Sequence, residues 1–361
     1  MNRLRSGADP TDIRNRPADA TAPATSALTL SKPRPVLEVR DLTVSFDTVY
    51  GLVKAVNGVN FSVFERERVG IVGESGSGKS VTAQALLGLL QGAKIEGEIL
   101  FDGRDILTMP KAKLRALRGW DISYVFQDPL SALDPIRTIG DQVSQPLRLR
   151  GVHRKEAKAR AIEMLAKVGI REPERRYKDY PHQFSGGMRQ RVMIAIALIG
   201  EPRLVIADEP TTALDVRVQA KVIDLLYTLT EEQGAAIVFI THDLGVLAGF
   251  ADRMMVMYAG RVMESAQTEE LYYRSINPYT LGLLQSLPRI DGPIPLKLTT
   301  IAGRPPSPSN LPAGCPFSTR CRYVQDICRE VAPALKTPKN GTHPSACHFS
   351  EWLAEEPGVL R

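Results

Sequence analysis

The chain has 361 residues, 43% hydrophobic and 24% charged, values ordinary for a globular protein with one large core and smaller appendages. No run reaches the roughly 18–20 unbroken apolar residues of a membrane-spanning helix, which argues against a bilayer-crossing chain. The net charge of +6 is a mild basic excess whose Lys and Arg are interleaved with acids, as on solvated helix faces, and it does not point to nucleic acid.

Residues 1–35 are rich in Pro, Ala, Thr, Asp and Arg and lack apolar periodicity, so a disordered tail is expected there. That segment has no signal-peptide hydrophobic stretch, and its Asp residues argue against a transit sequence, so a cytoplasmic protein is expected. From Leu37 onward, short apolar runs alternate with helical patterns. Strands are predicted over 68–72, 122–126, 204–207, 236–241 and 254–258, and helices over 79–90 and 217–233. Near-continuous apolar strands suit a parallel sheet covered on both faces, hence an α/β core. Between about 129 and 184 the strand signal disappears. Residues 154–168 carry Ala, Ile, Met and Leu at helical spacing among alternating charges, which predicts an inserted helical lobe. Past about residue 288 a Pro-rich linker leads into a module holding all four cysteines.

Two motifs carry chemistry. Gly73-Glu-Ser-Gly-Ser-Gly-Lys-Ser80 follows a predicted strand and opens a predicted helix, fitting the phosphate-binding pattern G-x-x-x-x-G-K-[ST]. Gly73, Ser75, Gly76 and Gly78 belong to a loop whose amides can face phosphate oxygens, Lys79 can reach the β- and γ-phosphates, and the Ser80 hydroxyl can ligate Mg²⁺. The alternative is a chance Gly-rich turn, which the flanking strand and helix disfavour. Leu204-Val-Ile-Ala-Asp-Glu209 is an apolar strand ending in two carboxylates. Asp208 is placed to hold Mg²⁺, and Glu209 to act as general base on the attacking water. The alternative there is a pair of solvated acids at a strand end.

Phe184-Ser-Gly-Gly-Met-Arg-Gln-Arg191 resembles the signature motif of ABC ATPases, with Met188 where the commonest version has Gln. The resemblance covers about 37–288 and implies a P-loop (RecA-like) ABC nucleotide-binding domain with an inserted helical subdomain. It divides the chain into a tail (1–35), an ATPase domain (36–290, helical subdomain about 129–190) and a C-terminal extension (291–361). It further implies that Gln127 contacts Mg²⁺, that His242 contacts the γ-phosphate, and that Asp215 lies in the D-loop. An adenine-stacking aromatic is implied upstream, with Phe46 the best match and Tyr50 the reserve. Ser185, Gly186 and Gly187 would act on the nucleotide of a second ATPase subunit, homologous or identical. Two permease subunits and, indirectly, an extracytoplasmic solute-binding protein complete the implied transporter. The chain would then sit peripherally at the cytoplasmic face of the cell membrane.

Asn277-Pro-Tyr-Thr-Leu-Gly-Leu-Leu and Gly314-Cys-Pro-Phe-Ser-Thr-Arg-Cys321 resemble segments of oligopeptide and dipeptide importer ATPases. The spacing of Cys315, Cys321, Cys328 and Cys347 fits neither common zinc sites nor the ferredoxin run, and says only that four thiolates could converge. The resemblance implies a [4Fe–4S] cluster there. Structural zinc, free or paired thiols, and a His ligand from His343 or His348 stand as alternatives. Import of another solute, or a soluble ABC ATPase acting on ribosomes or DNA, are the competing functions.

Overall fold

The computed structural model describes residues 34–49, 51–212, 214–287 and 300–355. The expected N-terminal tail lies outside them but for its last two residues, and so does Tyr50. First in the chain come β1 (Leu37–Thr48), β2 (Gly51–Val63), β3 (Arg68–Val72), α1 (Lys79–Ala85), β4 (Ala93–Phe101), β5 (Arg104–Asp105), α2 (Lys111–Leu117) and β6 (Ile122–Val125). A helical stretch follows: α3 (Pro129–Ala132), α4 (Ile139–Leu149), α5 (Arg154–Lys167), α6 (Pro173–Arg176) and α7 (Gly186–Leu198). Strand and helix then alternate through β7 (Leu204–Asp208), α8 (Val216–Gln233), β8 (Ala236–Thr241), α9 (Leu244–Ala248) and β9 (Arg253–Tyr258). β10 (Arg261–Gln267), α10 (Thr268–Arg274) and α11 (Pro278–Gln285) close this part, and α12 (Asp326–Glu330) and α13 (Ser350–Glu355) belong to the C-terminal module.

The central sheet has the order β10-β9-β3-β8-β7-β6, parallel throughout except for β10, which runs antiparallel to β9. Its strands are buried on both faces, and successive residues serve two cores. Val205, Ala207, Ile237 and Phe239 face the core shared with α4, α5, α7 and α8. Leu204, Ile206, Val238 and Ile240 face the other core, shared with the antiparallel sheet β2-β1-β4-β5. This is the α/β architecture with an inserted helical lobe that the sequence predicts. The antiparallel sheet was not legible as separate strands: register shifts at Val39/Leu42 and Leu42/Val44 interrupt the period-two pattern that a strand reading relies on.

The C-terminal module returns to the sheet edge. Ala346 N–H donates to Met263 O at 2.7 Å and Ser265 N–H to Pro344 O at 3.1 Å, on either side of a bridge between Glu264 and Ser345. Glu264 is fully buried. Its carboxylate accepts from Ser275 Oγ (2.7 Å) and Ile276 N–H (2.7 Å) and pairs with His343 Nε2 (2.9 Å), so the buried acid is satisfied.

Candidate functional site

Four neighbouring parallel strands, β3, β8, β7 and β6, end at one edge of the sheet, where ligands of open α/β sheets gather. The loop after β3 is the phosphate-binding motif. A Cβ at Gly73 would lie 2.1 Å from the Met257 carbonyl oxygen, and at Gly78, whose φ is +98°, 2.4 Å from the Ala55 oxygen. Only glycine allows the loop to press this closely on β9 and β2 and still turn into α1. Lys79 follows at once, its ammonium donating to Gly73 O (2.7 Å) and Glu74 O (3.0 Å). Burial lowers its pKa, while the charges of Glu209, Asp208 and Glu74 oppose that shift.

At the end of β7, Asp208 is buried and takes two hydrogen bonds on different oxygens: Ser80 Oγ donates to Oδ1 at 3.0 Å and the Tyr124 hydroxyl to Oδ2 at 2.8 Å. Burial raises the Asp208 pKa, with the two hydroxyls holding it down and Glu209 pushing it further up. A buried carboxylate beside a hydroxyl is a hard-oxygen donor set that fits Mg²⁺. The next residue, Glu209, has φ +44°, a left-handed conformation uncommon for a non-glycine residue and frequent at functional sites. Its Oε2 accepts from Gln127 Nε2 (3.2 Å) and Thr212 Oγ1 (2.9 Å) and lies 3.4 Å from His242 Nδ1. Three loops, after β6, β7 and β8, thus converge on one carboxylate oxygen. Oε1 has no partner among the described residues.

Ser75, Gly76, Gly78, Lys79, Ser80, Gln127, Glu209 and His242 line one open cleft of ≈ 620 Å³, within the range of small-molecule sites. Other predicted residues lie elsewhere. Phe46 is half-buried in β1 between Val53 and Ala93, packed against the core under the antiparallel sheet, and does not line the cleft. Ser185 is the N-cap of α7 and, like Gly186, is exposed; neither they nor Gly187 line this cleft. Asp215 caps α8, accepting from Val218 N–H at 3.0 Å. Sequence reasoning gave no role to Tyr124, and placed Thr212 only in the stretch resembling the D-loop, without its contact to Glu209. A tyrosine inside a buried strand was the one available signal for the first, since its hydroxyl needs a partner.

The chain matches the ABC transporter family over residues 56–212 and the oligopeptide/dipeptide transporter C-terminal region over residues 263–328. It is 48% identical to the oligopeptide transport ATP-binding protein OppD of Haemophilus influenzae, covering 85% of this chain and 95% of that protein. With the dipeptide transport ATP-binding protein DppD of Bacillus subtilis it shares 46% identity, over 89% of this chain and 96% of the relative. The chain belongs to the ATP-binding subunits of oligopeptide and dipeptide ABC transporters. Among solved structures it resembles a dimeric post-hydrolysis state of the ATP-binding cassette MJ0796 bound to ADP and Pi. That match has TM-score 0.59 and 32% identity, over 64% of this chain and 98% of the other. The fold is thus the RecA-like P-loop ABC ATPase with its helical subdomain, and the subunit is an ATPase.

In this ABC subunit two expectations are corrected. Among the described residues no group of three or more His, Cys, Asp or Glu is arranged to hold a metal ion, so neither the [4Fe–4S] cluster nor zinc has a site. Cys315, Cys321, Cys328 and Cys347 are free thiols that adjoin one apolar cavity of ≈ 20 Å³. Burial pushes the Cys315 thiol up to about 11 and Cys347 to about 12, and raises Cys321 too. The two candidate histidines are engaged elsewhere, His343 with Glu264 and His348 with the Val331 carbonyl at 2.9 Å. The expected membrane association is not supported by a span of this chain's own: among the described residues no helix is long and apolar enough to cross a membrane.

Proposed function

We propose that this subunit binds ATP with Mg²⁺ in the cleft at the sheet edge and hydrolyses it to drive peptide import through two permease subunits. A second ATPase subunit and an extracytoplasmic solute-binding protein complete the transporter, with this chain at the cytoplasmic face. The observation that carries the reading is the convergence of Lys79, Ser80, Gln127, Glu209 and His242 on one cleft. Support for the peptide solute comes from the relatives, which are oligopeptide and dipeptide transport proteins, and from the C-terminal match.

The loop amides and Lys79 bind the phosphates, and Phe46 is the candidate to stack on adenine. Ser80, Asp208 and Gln127 would hold Mg²⁺, which when bound neutralises phosphate charge. Glu209 accepts the proton of the attacking water. Gln127, Thr212 and His242 fix its Oε2, leaving Oε1 to face the water. His242 also reaches the γ-phosphate. Ser185, Gly186 and Gly187 lie at the start of α7, where helix amides can meet the partner subunit's nucleotide, and Asp215 caps α8, whose Val218 packs on Gly187. ATP then favours the closed pair of subunits, and its hydrolysis favours the open pair.

The test is Glu209→Gln in the assembled transporter. The amide keeps the shape but not the base, so ATP affinity should stay within about threefold while phosphate release falls at least 100-fold. Near-normal turnover would remove Glu209 from this role.

A further inference from the structure

The C-terminal module reaches the phosphate loop through Arg320. Arg320, whose side chain is 3% exposed, grips the Glu74 carboxylate with both terminal nitrogens, Nη1 at 2.5 Å and Nη2 at 3.0 Å. Its remaining hydrogen bonds go to Tyr258 OH (3.2 Å), Ala302 O (3.0 Å) and Ile301 O (3.4 Å), so the guanidinium is fixed from several sides. The rings of Tyr258 and Phe317 lie beside it, 5.8 and 5.9 Å from ring centre to guanidinium carbon. Tyr279 completes this aromatic cluster, 4.5 Å from Tyr258 and 5.2 Å from Phe317, and its hydroxyl accepts the Glu74 N–H at 3.0 Å.

Every polar group of Glu74 is therefore engaged: the carboxylate by Arg320, the N–H by Tyr279, and the carbonyl by Lys79. Phosphate-loop chemistry does not require an acid at that position. A bare carboxylate in a loop that cradles phosphates would repel the nucleotide, and a bidentate, desolvated arginine cancels that charge while fixing the loop's direction. We propose that Arg320 is a positioning residue for ATP binding, by which the C-terminal module neutralises Glu74 and holds the phosphate loop in shape. The proposal rests on ATP occupying that loop, as argued above.

The experiment measures fluorescent-ATP affinity, together with the KM and kcat of ATP hydrolysis, on the full-length chain assembled with its partners. Arg320→Gln should raise Kd and KM about ten-fold and change kcat less than about threefold, because it strands one charge beside the phosphates. Adding Glu74→Gln to Arg320→Gln removes the stranded charge and should recover at least half of that loss. A merely structural arginine would instead lower kcat with thermal stability and give no recovery in the double variant. Unchanged affinity in folded Arg320→Gln, or no recovery in the double variant, overturns the proposal. Should Arg320→Gln not fold, Arg320→Lys decides: it keeps the charge without the two-pronged grip and should weaken binding about two- to fourfold, and wild-type affinity there overturns the proposal. Wild-type protein and Lys79→Ala are run alongside. If wild type binds no ATP, the functional reading fails; if it binds, Lys79→Ala does not, and Arg320→Gln binds like wild type, this proposal alone fails.

Discussion

Asp208 shows how single side chains set the working range of the site. Its folded pKa is raised by burial, so the native chain holds that proton more tightly than the unfolded chain does. The contribution of this carboxyl to stability is therefore largest in acid and is lost as pH rises through the folded pKa. Mg²⁺ needs the opposite, ionised form. The Tyr124 hydroxyl donates to Oδ2 and favours that form. Tyr124→Phe should raise the Asp208 pKa further and move the acid limb of the kcat/KM profile to higher pH by about half to one unit. An unmoved limb would mean that another group sets it. The sequence pointed to Asp208 and Glu209 through their place after an apolar run, but it could not point to Tyr124 or to the bond between Thr212 and Glu209. Which hydroxyl meets which carboxylate depends on the pairing of β6 with β7 and on the turn after Glu209.

Among the elements, the loop between β3 and α1 is specified most tightly. Gly78→Ala would set a Cβ against the Ala55 carbonyl in a left-handed backbone, so the loop must shift or unfold. Expected are a loss of more than about 1 kcal/mol in denaturant unfolding and loss of ATP binding; wild-type values for both would show that the loop tolerates the contact. Strands β3, β7, β8 and β9 were legible because each is a short apolar run covered on both faces. Helix limits were less so. The sequence predicts helix to residue 90, yet α1 stops at Ala85 before a turn in which Gly88 has φ +59°. α7, in turn, opens on two glycines, poor helix formers, with Ser185 at its N-cap position making no side-chain cap hydrogen bond, so its start carries little sequence signal.

For the whole molecule, the exposed start of α7 is the feature that a single chain leaves unused. Ser185 is exposed and stands outside its own cleft, and the function proposed above gives it a place in a second subunit's site. Ser185→Arg should leave ATP affinity of the isolated chain within about twofold, while the assembled transporter loses at least about ten-fold in ATPase rate. Equal loss in both would assign the serine to its own site. At this scale the cysteines were the hardest part to read. Their spacing is compatible with convergence, and only the folded arrangement shows four free thiols around one apolar cavity with no metal-holding group among the described residues.

The Glu74–Arg320 pair spans 246 residues of sequence. Synthesis proceeds from the N-terminus, so the phosphate loop leaves the ribosome long before its arginine exists. Throughout that interval the Glu74 carboxylate stands unneutralised among amides meant for phosphate. On the proposal for Arg320, the nascent cassette would be a poorer trap for cellular ATP than the finished one, and a late-made part of the protein would complete an early-made one.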